Sequence, residues 1–365
     1  MSRRKLIWHI GGSDAPRPVI AANLETHRPA LKDLGVHSVA TPDEARLATH
    51  ELLRTHREAG LARAHVEGRW ARICDRVWQR KGVSLLCTPQ LGAADKDQIR
   101  LALDALIGVE VHLVVTLDSF SQQIYGGWLA DLRAGRTAGW EKYAARVLAP
   151  TVEHKQAERF WAGHDVPAML ERWGWTFRPD RLHVVADRDV AQHWVQLLDI
   201  AGLRDAGLGP VIPAYADPAG LAVLRKVNRQ LEAPLSTGTL GMLTGAEEPA
   251  AMPVVPTGVL ADRVRDWVTA LADAGHDLRG DLMALLDEGD GTPLPGPRDQ
   301  LAAAVDALAE ALAENTRLRS SNEALAAAQP TMSTRARTHS TSGRRARQSP
   351  RTRSARSGVS RFSKP

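Results

Sequence analysis

The sequence predicts an α/β protein of three layers, with helices on both faces of a mainly parallel sheet, followed by a helical C-terminal extension. Four short β-branched or leucine-rich runs stand out: KLIWHI (5–10), VSLLC (83–87), VHLVVT (111–116) and RLHVVA (181–186). Between them lie longer stretches with apolar residues three and four apart, such as PDEARLATHELLRTHREAGL and DKDQIRLALDALIG, which read as helices. Strands separated by helices pair through crossovers, so the sheet is expected to be parallel and covered on both sides.

Each element follows from local chemistry. The first run ends in glycines within HIGGSDAPRP (9–18), a strand-to-helix turn of the kind that cradles anions with backbone N–H groups. The third run leads into TLDSFSQQ (116–123), a second strand end where a ligand of such a sheet would sit. From about residue 190 the chain reads as helical, with loops rich in Pro and Gly. The helical pattern VLADRVRDWVTALADAGHDLRGDLMALLDEGDG breaks at Gly289 and Gly291, which places the end of the compact domain near residue 290.

A linker is expected over 291–298, then an amphipathic helix over 299–327. There Leu301, Val305, Leu308 and Leu312 alternate by four and three, a short seam for self-association that Asn315 and Asn322 interrupt. Residues 328–365 read as a disordered basic tail. Its last 35 residues hold nine Arg and one Lys with no Asp or Glu, too little apolar surface to offset the entropy of ordering. The formal net charge of +5 therefore belongs to the tail, and residues 1–330 alone sum to −5. Ten positive charges attract nucleic acid or another polyanion without regard to sequence.

Composition excludes several classes. Cys74 and Cys87 form no C-x-x-C pair and read as reduced thiols. The apolar run Leu6 to Ile10 is far too short for a signal h-region or a membrane span, so a cytoplasmic location is expected. The thirteen His residues show no spacing that pairs two metal-ligand clusters, and no metal is expected. The ten Trp residues, Trp173 and Trp175 among them, read as core and surface packing.

At HIGGSDAPRP the chain resembles a family of actinobacterial sulfotransferase-like proteins with the P-loop sulfotransferase fold. The family opens on a strand close to H-I-G-x-P-K-T-G-T-T, matched here by His9-Ile10-Gly11, and continues into a helix that ANLETHRPALKDLGV (22–36) matches. EVHLVVT (110–116), HDVPAMLERWGWTFRPDRLHVV (164–185), LRKVNRQL (224–231) and ALADAGHDLRGDLMALL (270–286) match later family segments in order. The resemblance spans about residues 1–290. It implies sulfuryl transfer from 3′-phosphoadenosine 5′-phosphosulfate to a hydroxyl or amine, with Gly11, Gly12, Ser13, Arg17 and Ser119 as what remains of the donor-binding positions.

Where the family needs charge, however, this chain departs from it. The family's Lys falls on Asp14, its Thr on Ala15 and its Gly on Pro16, with Arg17 and Pro18 in place of the next two hydroxyl residues. Proline has no N–H to offer, so two amides of the cradle are gone. At the 3′-phosphate position the family's Arg falls on Asp118 and its Ser on Gly126. At about 6 Å and an effective dielectric of 20, each unlike or like unit pair is worth on the order of 3 kcal/mol, a hundredfold in affinity. In the acceptor site the family's Glu is replaced within CTPQL (87–91), where Cys87, Thr88 and Gln90 supply no ordinary base.

The expectation is therefore a sulfotransferase-like pseudoenzyme with a degenerate nucleotide site, no catalytic residue and no cofactor beyond the one the resemblance implies. Two other readings stay open on the sequence. One is an active sulfotransferase with a donor site rearranged around Arg17. The other is a polyanion-binding protein that works through its tail.

Overall fold

The computed structural model describes residues 4–12, 18–175, 177–213, 218–231, 235, 253–287, 289 and 293–328. Six strands form one sheet: β1 (Lys5–Gly12), β2 (Val36–Ser38), β3 (Val83–Cys87), β4 (Glu110–Leu117), β5 (Leu182–Ala186) and β6 (Asp277–Gly280). Their order is β2-β3-β1-β4-β5-β6, and every pairing is parallel. The order reverses at β1, which lies between β3 and β4. In an open α/β sheet that reversal opens a crevice at the carboxyl ends of the strands.

The layers follow from alternation along the strands. Ile7 points to a core shared with Val19, Ile20 and Leu24 of α1 (Val19–Thr26) and with Trp194 and Leu197 of α11 (Val190–Ala201). Leu6, Trp8 and Ile10 point to the other core. Its helices are α3 (Pro42–Leu53), α5 (Arg69–Gln79), α6 (Lys96–Asp104), α7 (Phe120–Arg133), α8 (Trp140–Val147), α9 (Lys155–His164), α10 (Val166–Gly174), α12 (Pro218–Asn228) and α13 (Ala261–Asp273). Two short helices, α2 (Arg28–Asp33) and α4 (Arg63–Val66), complete this part of the chain.

Five helices begin where a side chain meets their free amides. Thr41 with Glu44, and Asp95 with Gln98, form reciprocal capping boxes at α3 and α6, while Asp165 and Asp189 cap α10 and α11. The four strands read from the sequence are all present. The stretch beyond residue 190 needs one correction: Asp277–Gly280 is an edge strand paired with β5, not helix. DLRG carries no apolar alternation because the strand is partly exposed at the sheet edge, so no periodicity marks it. The three-residue β2 was likewise too short to signal itself.

The last helix, α14 (Pro297–Ala328), is a single run that begins two residues before the expected start. Leu301, Val305, Leu308 and Leu312 are each more than half exposed on it. The chain divides into two compact units, Met1–Leu312 and Ala313–Pro365. Ala328 closes α14, and the rest of the basic tail lies outside the described residues. Among the described residues no helix is long and apolar enough to cross a membrane.

Candidate functional site

At the carboxyl end of β1, Gly12 pairs with Thr116 of β4, so the end of β1 and the start of the β4–α7 turn are neighbours at the sheet's switch point. Of the positions singled out in the sequence, Gly11, Gly12 and Ser119 come together here. Ser13 and Arg17 lie outside the described residues, as do Asp14, Ala15 and Pro16. Gly11 is favoured by its φ of +65°, and it lies against the tip of the Met169 side chain. Gly92, in the 3-10 turn Pro89–Ala93, faces it so closely that a Cβ on Gly92 would lie 2.6 Å from Gly11 Cα. Both glycines let the end of β1 pack under the loop that follows β3.

The floor of the crevice is a buried network on both faces of β1. On one side His9, with no exposed surface, places Nδ1 3.2 Å from Cys87 Sγ and Nε2 3.0 Å from Thr116 Oγ1, joining three strands through one imidazole. Burial, with a smaller contribution from His193, pushes its pKa down to about 3, so it is neutral at physiological pH. On the other side Trp8 stacks on Trp70 at 5.1 Å, meets Trp173 edge-on at 5.2 Å, and donates from Nε1 to Thr88 Oγ1 at 2.6 Å. His9, Cys87 and Thr88 are thus packing and hydrogen-bonding groups. Cys74 and Cys87 are both buried and are not joined in a disulfide.

The β4–α7 turn satisfies its own donors. Asp118, 1% exposed, accepts from the Ser119 N–H at 2.7 Å through its carboxyl, and its carbonyl accepts from Gln123 Nε2 at 2.6 Å. Ser119 Oγ caps α7 by accepting from Gln122 N–H and lies 3.1 Å from Ser121 Oγ, which donates to Asp287 at 2.6 Å. His193 Nε2–H donates to the carbonyls of Leu117 and Asp187, tying the ends of β4 and β5 together. Among the described residues the carboxylates at this strand end are Asp118, Asp187, Asp189 and Asp287. Of the cations nearby, Arg188 pairs with Asp287 at 3.5 Å, and Arg172 is held by the carbonyls of Gly92, Ala94 and Ala162.

A second constellation, which no motif announced, lies at the far end of α7. Arg136, Lys142, Arg146, Lys155, Arg159 and Arg229 line one open cavity of about 670 Å³, with Thr137 and His154. α7 is fourteen residues long, so this cavity lies about 20 Å from Ser119. A different cavity, of about 730 Å³ between α10 and α13, is lined chiefly by apolar groups such as Trp175, Phe177 and Trp267. Among the described residues no group of three or more His, Cys, Asp or Glu could hold a metal ion.

No protein-family model and no curated protein matches the chain. Among solved structures, a sulfotransferase from Alicyclobacillus acidocaldarius is similar at 13% identity and a TM-score of 0.43, covering 78% of this chain and 98% of its own. A likeness of that degree leaves the reading of the site to its own residues.

Proposed function

We propose that this chain is a sulfotransferase-like protein that no longer carries out ordinary sulfuryl transfer from 3′-phosphoadenosine 5′-phosphosulfate, and serves as a non-catalytic homologue. The observation that carries this reading is the β4–α7 turn. Where the resemblance calls for an arginine to neutralise a 3′-phosphate, the turn holds buried Asp118, and the Ser119 amide and hydroxyl are already engaged within the protein. A phosphate brought there would meet a carboxyl group instead of a cation, with the local donors taken. The neutral His9 beneath adds no positive charge.

Calorimetric titration of the full chain with adenosine 3′,5′-bisphosphate, followed by hydrogen exchange, tests this. The expected result is no added protection of the amides of residues 118–123 at millimolar nucleotide. Micromolar binding that protects those amides overturns the reading, because the nucleotide would then occupy the crevice despite Asp118.

A further inference from the structure

The cavity of about 670 Å³ among α7, α8, α9 and α12 gathers six cationic side chains in a region, residues 1–330, whose formal charge is −5. Gathering like charges is unfavourable unless something negative offsets them. Among the described residues one carboxylate, Asp131, pairs with these cations. Asp131, 10% exposed at its side chain, pairs with Arg136 at 2.9 Å and Arg159 at 3.4 Å. Lys142, Lys155 and Arg229 have no ion-pair partner among the described residues, and Arg146 donates to the neutral Gln156.

The wall is also held in place. Asp131 accepts from Gln156 Nε2 at 3.1 Å as well, so one nearly buried carboxylate orients three donors on two elements. The loop that carries Arg136 and Thr137 is pinned by Asn228 Nδ2, which donates to the carbonyls of Leu132 and Arg136, and by Trp128 Nε1, which donates to that of Ala138. The starts of α8 and α9 lie in the lining too. Their N-caps, Gly139 and His154, make no side-chain capping bond, in contrast to α3, α6, α7, α10 and α11.

From these groups together we infer that the cavity is a binding site for a compact, multiply charged oxyanion of the polyphosphate or polysulfate kind, separate from the strand-end crevice. Fixed guanidinium groups from Arg136 and Arg159 suit paired oxygens, mobile ammonium groups from Lys142 and Lys155 follow the charge, and the free amides of two helix starts complete the donor set. Preorganisation by Asp131 and Asn228 lowers the ordering cost of binding.

The probe is inorganic pyrophosphate, titrated calorimetrically into the full chain and into the double variant Lys142→Gln/Arg229→Gln at low salt. Both positions are exposed, so the variant is expected to melt at the wild-type temperature without ligand. The expected result is one-to-one micromolar binding by the wild type, weakened about thirtyfold or more in the double variant. Equal affinity in the two proteins places the binding outside the cavity and overturns the proposal, as does no binding by the wild type at millimolar pyrophosphate. The outcome is separable from that of the crevice, because hydrogen exchange of the 118–123 amides with adenosine 3′,5′-bisphosphate reads the turn whichever way the pyrophosphate titration falls.

Discussion

The two ends of α7 are built from opposite chemistry. At its start, Asp118, Asp187, Asp189 and Asp287 surround a turn whose donors are bonded internally, above a floor of tryptophans and a neutral histidine. At its far end six cations and two uncapped helix starts surround an open cavity. The strand ends of the switch point lie at the first end, and six cationic side chains line the second. The difference teaches that scaffold and site are separable: the sheet fixes where its strand ends meet, and the side chains on the surrounding helices decide where charge collects.

The contrast breaks most strongly at the crevice floor. Trp8 is fully buried between Trp70 and Trp173, and Trp8→Ala removes both ring contacts and the bond to Thr88. Loss of a buried aromatic of this size costs about 3–5 kcal/mol, read as a lower urea midpoint with unchanged slope. Pyrophosphate affinity of the folded variant should stay within twofold of wild type, because the cavity does not rest on Trp8. A stability loss under 1 kcal/mol would mean that the floor is not the packed layer described here.

Acid comes next. His9 has a folded pKa of about 3 against an unfolded value of 6.5, so between those pH values the unfolded chain binds more protons. Stability is then fully present above pH 6.5 and falls as pH drops toward 3. One such group contributes a slope of about 1.4 kcal/mol per pH unit. Comparison of unfolding free energies at pH 4, 5 and 6 for wild type and His9→Gln should show the slope smaller by that amount in the variant, whatever its absolute stability. An unchanged slope would mean that His9 titrates normally, and the crevice would then gain a cation near neutral pH.

How much of this was legible in the sequence depends on how many neighbouring residues carry each signal. Runs such as VHLVVT announce a buried strand because every residue in them contributes, whereas DLRG of β6 sits half exposed at an edge and contributes nothing periodic. The place of Asp118 at a strand end was legible because the run before it marks β4. The basic cavity was not, since Arg136, Lys142, Lys155 and Arg229 come from separate elements and each reads alone as an ordinary solvated cation. Only the packing of α7, α8, α9 and α12 brings them together.

The smallest expected effect separates a cap from a vacant ligand donor. Ser119 is 1% exposed, and its Oγ caps α7 while lying 3.1 Å from Ser121 Oγ. If that hydroxyl serves the fold, Ser119→Ala removes a helix cap and costs about 1 kcal/mol in chemical denaturation. Ser121 keeps its bond to Asp287 in the variant, so the loss is confined to the cap. If instead the hydroxyl is held for a phosphate, its removal costs the empty protein almost nothing and appears only as weaker nucleotide binding. A loss near 1 kcal/mol with no effect on ligands would place Ser119 with the closed, self-satisfied end of α7, and leave the open end as the place where this chain meets negative charge.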